Sequence, residues 1–378
     1  MKKLRVGIIF GGRSGEHEVS VTSAASIFKH IDRDKYEPVA IHIAKDGRWT
    51  LPDRVPTALS AAEVIQQARS APQLSSRTTR DTMLAPYPTS DTMITVDRAR
   101  DGAVIGVGLD VVFPVLHGPY GEDGTVQGLL ELANIPYVGP GVLASAAGMD
   151  KSVMKMLFAA RGLPVCDWYG FVRADWDRDR AAVLKRIETL GLPVFVKPAN
   201  LGSSVGISKV KTPGELLPAI MLALDFDRKV VVEAAVPNAR EIECSVLGNE
   251  EPETSLPGEV IPSREFYDYE AKYLDEGSKT VIPADLPAAL VSEVRRLSVE
   301  AFRAIDAAGL ARVDFLVSRD TGAIYLNEIN TMPGFTTISM YSKMWEASGV
   351  GYPELVDRLI QLALRRHSEK QALKTSAI

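Results

Sequence analysis

A predicted β-hairpin near the carboxyl end of the chain constrains the fold more than any other feature. Val313, Phe315 and Val317 recur at every second position, which is the period of a strand with one buried face. The polar residues 318–322 end in glycine and predict a turn, and residues 323–330 predict the return strand. The segment therefore predicts two neighbouring antiparallel strands.

The polar residues of this hairpin are expected on a single face. With a turn at residues 318–322, Val317 faces Ala323 and Arg312 faces Glu328. Because side chains two apart share a face, four polar residues come together: Arg312, Asp314, Glu328 and Asn330. A half-exposed sheet would account for an arginine and an aspartate alone, but burying the whole set unpaired would be costly.

These side chains have the chemistry of a phosphate site. Oxygen ligands such as Asp314, Glu328 and Asn330 suit Mg²⁺, which leaves its other positions to water and phosphate oxygens. Arg312 would lie beside the metal and meet developing negative charge. The hairpin therefore predicts phosphate chemistry on a sheet face.

Composition excludes several classes of protein. The chain has 378 residues, which predicts two or three domains, and a net charge of −5 without a basic block argues against nucleic acid. Cys166 and Cys244 lie in apolar stretches and are expected to be reduced, as in a cytoplasmic protein. The apolar run after the first residues is too short for a signal peptide or a membrane span.

The amino-terminal third predicts strands that end in ligand-binding loops. Residues 5–10 predict a buried strand, and residues 19–30 a helix after a Gly-Gly turn that lacks the dinucleotide pattern G-x-G-x-x-G. Glu16 lies in the loop between them, where α/β sheets bind ligands; it is either a solvated charge or a partner for an ammonium group. His117 follows a second strand, at 110–116, and is either structural or a ligand contact.

Residues 52–101 interrupt this pattern. The segment is polar and rich in Ser, Thr, Ala and Arg, so we interpret it as an insertion with at most one short helix, near residues 61–68. No chemistry is assigned to it.

The central part of the chain predicts a second phosphate-binding element. A strand at residues 194–196 ends in Lys197 and leads into a loop, NLGSSVGISKV, before the next strand. Such loops present backbone N–H groups and hydroxyls to phosphate oxygens, although this one lacks the G-K-[ST] of a Walker A loop. A flexible hairpin turn is the alternative. A helix opens at Asp150 and Lys151.

The remaining segments complete the expected architecture. Residues 229–233 and 241–247 predict strands joined by a hinge, and the charged, aromatic residues 264–277 predict a lid. A helix is expected over 287–308 and another over 352–365, before a polar, frayed tail at 367–378.

Together the motifs resemble one family, the D-alanine–D-alanine ligases of the ATP-grasp superfamily. The resemblance is nearly end to end, apart from residues 52–101. Its motifs are GGRSGEHEVS (11–20), HGPYGEDGT (117–125), GMDK (148–151), KPANLGSSVG (197–206), YDYEAKY (267–273), ARVDF (311–315) and NEINTMPG (327–334).

The resemblance implies an α/β fold, with α+β character in the ATP-grasp part. It implies three domains: residues 1–139 with a Rossmann-like parallel sheet, 140–233 with the Gly/Ser loop, and 234–378 with the lid and the metal site. ATP would lie between the last two. The resemblance also implies a homodimer.

The resemblance also implies site residues. ATP phosphates would be bound by Lys151, Lys197, Ser203 and Ser204, adenine and ribose by Glu233, Val236 and Glu241, and the nucleotide from the lid by Lys272. Two Mg²⁺ or Mn²⁺ ions would be bound by Asp314, Glu328 and Asn330. Glu16, Ser203 and Tyr273 would hold the amino group of the first D-alanine, and His117, Arg312, the Gly334 N–H and Ser339 would complete the substrate pocket.

The implied reaction activates one D-alanine carboxylate as an acyl phosphate, which the amine of a second D-alanine attacks, for peptidoglycan precursor synthesis. Within the family, Tyr273 goes with D-alanine rather than D-lactate. The alternatives are a D-alanine–D-lactate or D-alanine–D-serine ligase, another ATP-grasp ligase, and a catalytically silent nucleotide-binding protein. The silent protein could lose metal ligands, which are present here.

Overall fold

A computed structural model describes residues 2–52, 54–56, 80–97, 103–262 and 279–374. Its first sheet has strand order β6-β5-β4-β3-β2-β1-β7. The strands are β1 (Leu4–Gly11), β2 (Tyr36–Ile43), β3 (Trp49–Leu51), β4 (Arg80–Leu84), β5 (Met93–Asp97), β6 (Ala103–Val107) and β7 (Val111–Pro114). The parallel part is β2-β1-β7, and the other pairs are antiparallel.

The parallel part places two predicted loops side by side. Strand β1 is the middle strand of this parallel part; it is apolar and most of its residues are buried, as expected of a strand covered on both faces. It pairs with β7, and the carboxyl ends of parallel neighbours meet at one edge. The loops after β1 and β7, which carry Glu16 and His117, therefore lie together. Helices α1 (His17–His30) and α2 (Thr125–Leu132) follow these loops.

The interpretation of residues 52–101 as an insertion with little structure was wrong for the described part. Strands β4 and β5 fall in this segment and, with β3 and β6, extend the first sheet as an antiparallel meander. Thr82 and Thr95 pair across β4 and β5 and are buried, so polar residues with high strand propensity hid the pattern. The helix expected near residues 61–68 lies outside the described residues.

The second sheet carries the Gly/Ser loop. Its order is β10-β9-β11-β8, all antiparallel. The strands are β8 (Trp168–Val172), β9 (Val194–Pro198), β10 (Ser208–Val210) and β11 (Lys229–Ala234); the helices of this region are α3 (Val142–Met149), α4 (Lys151–Ala160), α5 (Arg173–Arg178), α6 (Arg180–Glu188) and α7 (Pro213–Phe226). Asp150 caps α4 by accepting hydrogen bonds from the N–H groups of Ser152 and Val153.

The third sheet contains the predicted hairpin. Its main path is β15-β14-β12-β16-β17, with β13 paired to β12. The strands are β12 (Ala239–Gly248), β13 (Glu253–Thr254), β14 (Gly258–Ile261), β15 (Lys279–Val281), β16 (Gly309–Ser318) and β17 (Ile324–Asn330); the helices are α8 (Ala288–Ala304), α9 (Met340–Ala347) and α10 (Tyr352–Gln371).

The expected register of the hairpin was wrong, although the shared face was right. Arg312 faces Asn330 and Asp314 faces Glu328, with an irregularity between Asp314 and Phe315. A one-residue shift alone would have turned Glu328 to the opposite face. The bulge adds one extra residue to β17, which shifts the register by one more position. The polar side chains therefore return to one face.

One hydrophobic core joins the first sheet to the carboxyl-terminal helices. Val6, Ile8 and Phe113 belong to the same buried cluster as Leu355 and Leu359 of α10. Each such side chain stabilises the fold by about 1.5–3 kcal/mol. Helix α10 continues through Gln371, so the frayed tail expected from residue 367 onward was wrong for residues 367–371. Among the described residues, the helices lack the length and apolar character needed to span a bilayer.

Candidate active site

The carboxylate of Glu16 lies where three loops meet. Glu16 immediately precedes α1, and the Ser203 hydroxyl of the Gly/Ser loop donates a hydrogen bond to its Oε1. A Cβ added at Gly118 would lie 2.8 Å from Glu16 Oε2, and one at Gly202 would lie 2.9 Å from it. Backbone without side chains thus surrounds this carboxylate on two sides. The sequence prediction that Glu16 and Ser203 act together is consistent with this contact.

His117 ties the first sheet to the loop after β17. It is 4% exposed, its Nδ1 lies 2.9 Å from the Met332 carbonyl oxygen, and its Nε2 lies 3.1 Å from Ser23 Oγ. Burial lowers the pKa of His117, although Glu16 acts in the opposite direction. A neutral imidazole with its proton on Nδ1 fits both contacts, and Ser23 also accepts from the Phe335 N–H.

Glu122 is a further buried carboxyl group near Glu16. It was not among the site residues predicted from the sequence. Its Oε2 accepts a 2.7 Å hydrogen bond from the Gly118 N–H. Burial and the nearby Glu16 raise the pKa of Glu122 well above its ordinary value. Its position within the HGPYGEDG motif could have identified Glu122 from the sequence.

Arg312 is held rigidly on the polar face of the third sheet. Its guanidinium forms two 2.7 Å hydrogen bonds with Asp314, and its Nε lies 3.1 Å from Glu243 Oε2. Burial opposes charge, but the two carboxylates more than offset it and raise the pKa of Arg312 well above its ordinary value. Glu243 was not among the site residues predicted from the sequence, although it lies in β12 on the polar face.

The predicted metal ligands lie on one face of the hairpin. Asp314 and Glu328 are opposed across β16 and β17, and Asn330 follows on the same face. Within the described ranges, His, Cys, Asp and Glu alone form no group of three able to hold a metal ion. Two carboxylates and an amide suit Mg²⁺ only if phosphate oxygens or water complete the coordination, which is the donor set expected beside a nucleotide.

Two buried lysines face this region. Lys151 Nζ donates a 2.6 Å hydrogen bond to the Leu201 carbonyl and lies 3.8 Å from Glu328 Oε2. It therefore connects the Gly/Ser loop to the metal-ligand face. Lys197 Nζ donates a 2.7 Å hydrogen bond to Glu233 Oε2.

Lys197 and Glu233 favour each other's charged form in their buried setting. Burial acts against both charges, but Lys155 and Lys197 lower the pKa of Glu233, and Glu233 and Glu328 raise the pKa of Lys197. Burying charges is costly unless they are paired. The two lysines beside the buried carboxylate of Glu233 therefore compensate its charge.

The remaining predicted residues lie on or beside the second and third sheets, or outside the described residues. Ser204 has a left-handed φ of 58°, like Ser203 at 52°. Val236 follows β11, and Glu241 lies on β12 opposite Leu316. Lys272, Tyr273 and the lid expected at residues 264–277 lie outside the described residues.

The Gly334 turn is closed by Ser339. Ser339 Oγ accepts from the Thr336 N–H at 3.0 Å and lies 2.8 Å from Thr336 Oγ1. A Cβ at Gly334 would lie 3.4 Å from Ser339 Oγ. The two residues are therefore neighbours, as the predicted substrate pocket requires.

Taken together, elements of the three sheets bring two buried lysines, a Gly/Ser loop and a carboxylate-bearing face close to one another, which is the chemistry expected of a ligase that uses a nucleotide. The family model "D-ala D-ala ligase N-terminus" matches residues 5–140, and "D-ala D-ala ligase C-terminus" matches residues 157–361. A D-alanine–D-alanine ligase from Natranaerobius thermophilus is 48% identical over 376 residues, covering 99% of each chain.

Two solved structures are similar over nearly the whole chain. The D-alanine–D-alanine ligase from Coxiella burnetii superposes with a TM-score of 0.82 at 37% identity, covering 98% of this chain and 97% of that one. The VanG D-Ala:D-Ser ligase from Enterococcus faecalis has a TM-score of 0.82 at 33% identity, with 96% and 100% covered. The chain belongs to the D-alanine–D-alanine ligase family, which consists of ATP-dependent ligases.

Proposed function

We propose that this chain joins two D-alanine molecules to D-alanyl-D-alanine at the expense of ATP, for peptidoglycan precursor synthesis. The contact between Glu16 and Ser203 carries the proposal, because it links an ammonium-binding carboxylate to a phosphate-binding loop. The names of full-length relatives support the same substrate.

The proposed reaction has two steps. A carboxylate oxygen of the first D-alanine bonds to the γ-phosphorus of ATP while the bond to ADP breaks, which gives an acyl phosphate. The amine of the second D-alanine then attacks the carbonyl carbon and gives up a proton. The tetrahedral oxyanion collapses, phosphate leaves and an amide bond remains.

The chain supplies charge and position for both steps. Glu16 binds the ammonium group of the first D-alanine, with Ser203 and Tyr273 as partners. Arg312 and the Gly334 N–H donate to the oxyanion; a donor of this kind is typically worth about 3 kcal/mol. Arg312 is preorganised because Asp314 and Glu243 already hold it. His117 and Ser339 shape the pocket.

The nucleotide is proposed to lie between the second and third sheets. Lys151, Lys197, Ser203 and Ser204 would bind phosphates, while Glu233, Val236 and Glu241 would bind adenine and ribose, with Lys272 closing from the lid. Asp314, Glu328 and Asn330 would hold two Mg²⁺ or Mn²⁺ ions. Such ions neutralise charge on the transferring phosphoryl group.

D-serine and D-lactate are the alternative second substrates. The similarity to a D-Ala:D-Ser ligase shows that the fold accommodates this exchange, but the curated relatives named D-alanine–D-alanine ligase are more similar, at 48% and 50% identity. Tyr273 supports D-alanine as well. A silent nucleotide-binding protein is disfavoured because Arg312 and the metal ligands are retained.

Domain division and assembly follow from the same proposal. We propose domains at residues 1–139, 140–233 and 234–378, each built around one sheet. A homodimer is supported by exposed apolar side chains on α2 and α3, namely Leu132, Val142 and Leu143. A cytoplasmic location is supported by the need for ATP and by two free, buried cysteines.

Product identification by mass spectrometry tests the proposal. The purified protein is incubated with ATP, Mg²⁺ and D-alanine, with D-lactate or D-serine added in parallel reactions. We expect D-alanyl-D-alanine with stoichiometric ADP and phosphate. A preference for the depsipeptide or the mixed dipeptide would overturn the substrate assignment. If no ligation product forms at all, the proposed ligase activity itself is overturned.

A further inference from the structure

Lys155 is a completely buried lysine outside the predicted site. It lies on α4, one helical turn after Lys151, and its side chain is 0% exposed. A buried ammonium group is costly unless other groups pair with it and accept its hydrogen bonds. Its contacts therefore indicate what it does.

The ammonium group of Lys155 contacts three residues from different parts of the chain. Its Nζ lies 3.2 Å from Glu233 Oε1, 3.4 Å from the Asn327 carbonyl oxygen and 3.8 Å from Cys166 Sγ. Glu233 belongs to the proposed adenine end, whereas Asn327 lies on β17 beside the proposed metal ligands.

Asn327 is the extra residue of the bulge in β17. Leu326 pairs with Phe315 and Glu328 pairs with Asp314, so Asn327 has no opposite residue on β16. A bulge leaves backbone groups outside the regular ladder. Lys155 donates to the Asn327 carbonyl and thus stabilises the irregularity that keeps Glu328 on the polar face.

The contact with Glu233 has a second consequence. Glu233 Oε2 accepts from Lys197, which is proposed to bind ATP phosphates. If Lys197 turns toward a phosphate, Lys155 still neutralises Glu233 from the other oxygen. The carboxylate then stays ionised and fixed while Lys197 exchanges partners.

We propose that Lys155 is a positioning residue that fixes Glu233 for the nucleotide and the Asn327 bulge for the metal ligands through one buried ammonium group. The proposal rests on the proposed ligase function. Lys155 itself contacts no substrate in this arrangement. The binding of both ATP and Mg²⁺ depends on its side chain.

The test compares the full-length wild type with Lys155→Met, which keeps the apolar stem and removes the charge. We expect the KM for ATP and the Mg²⁺ concentration for half-maximal rate each to rise about 10-fold to 100-fold, as for other residues that orient ligands from behind. The KM for D-alanine should change little. Met154→Ala, also buried on α4, is the matched control for lost stability and should leave the ATP and Mg²⁺ dependence near the wild type.

Calorimetric titration with ADP and Mg²⁺ separates this proposal from the ligase assignment. Weaker binding to Lys155→Met than to wild type supports positioning even if wild type makes no dipeptide. Unchanged binding and unchanged ATP and Mg²⁺ dependence, with only a lower Tm, would show a purely structural role and overturn the proposal. If Lys155→Met does not fold, Lys155→Gln is judged by the same criteria.

Discussion

Ser203 donates a hydrogen bond to Glu16, a residue 187 positions earlier in the chain. The contact joins the Gly/Ser loop to the loop after β1. It requires two glycines, because Gly118 and Gly202 leave space for the carboxylate. In the proposed reaction, this single carboxylate would couple substrate binding to phosphate binding.

Removing the Glu16 charge should weaken binding of the first D-alanine. In Glu16→Gln the amide keeps the shape but no longer attracts an ammonium group, so we expect the KM for the first D-alanine to rise about tenfold or more. Glu18→Gln is the matched control, because Glu18 lies two residues along and pairs with Lys45 at 2.6 Å. Steady-state kinetics that show equal effects in both variants would contradict the role of Glu16.

A methyl group at residue 202 should disturb the same contact without unfolding the protein. In Gly202→Ala the new Cβ would lie 2.9 Å from Glu16 Oε2, the end of a flexible side chain that can move. We expect a higher KM for D-alanine with nearly unchanged Tm. Gly214→Ala, where the Cβ would meet no atom within 4 Å, is the control. A large fall in Tm for Gly202→Ala would argue against this account.

Arg312→Ala should impair the chemical steps. Loss of the guanidinium removes an oxyanion donor and leaves Asp314 and Glu243 without their shared cation, so kcat should fall about 10²-fold or more. The measurement is ADP release at saturating substrates. Arg319→Ala in the turn of the same hairpin serves as control, since Arg319 is half exposed and lies 3.4 Å from Glu259. Near-normal turnover of Arg312→Ala would refute the role of Arg312.

The carboxylate of Asp314 should set the magnesium requirement. Asp314→Asn keeps the size of the side chain but weakens a hard anionic ligand, so the Mg²⁺ concentration for half-maximal rate should rise about tenfold or more. Asp320→Asn, in the hairpin turn, changes an exposed carboxylate that accepts a 2.8 Å hydrogen bond from Asn238, and it should behave as wild type. An unaltered Mg²⁺ titration for Asp314→Asn would remove Asp314 from the metal site.

Stability should fall in acid partly because of His42. Burial, with His17 adding to it, lowers the pKa of His42 from 6.5 to about 4. The unfolded chain therefore binds a proton below pH 6.5 that the folded chain resists until about pH 4. The free energy of unfolding is therefore unaffected by His42 above pH 6.5. As the pH falls from 6.5 towards 4, it decreases by up to about 3 kcal/mol. Urea unfolding at pH 7.5 and 4.5 should show a smaller pH difference for His42→Gln; an equal difference would exclude His42 as a source.

Much of the fold was predictable where the apolar period was simple. The strands at residues 5–10, 194–196 and 229–233 were found because continuous burial produces unbroken apolar runs. Strands β4 and β5 were missed because their buried threonines resemble loop residues. The length of α10 was underestimated for a similar reason, since its last turns are polar and exposed.

The sequence supplied candidate site residues but not the geometry that brings them together. The motifs selected Glu16, Ser203, Arg312 and the predicted metal ligands as candidates, because glycine-rich loops and carboxylates at strand ends have a specific chemistry. Ser23, Glu122, Glu243 and Lys155 were missed. Each is an ordinary residue in a helix, loop or strand until packing places it beside the site.

The sequence alone determined which chemical groups this protein has and the order in which its strands, loops and helices carry them. Tertiary structure alone decided the pairing of Glu16 with Ser203, the bulge at Asn327 and the burial of Lys155. The reason is that periodicity reports which face of one element is apolar, whereas register and long-range partners depend on how separate elements pack. A one-residue change in register reverses a face, and no local pattern in β17 specifies the bulge that restores it.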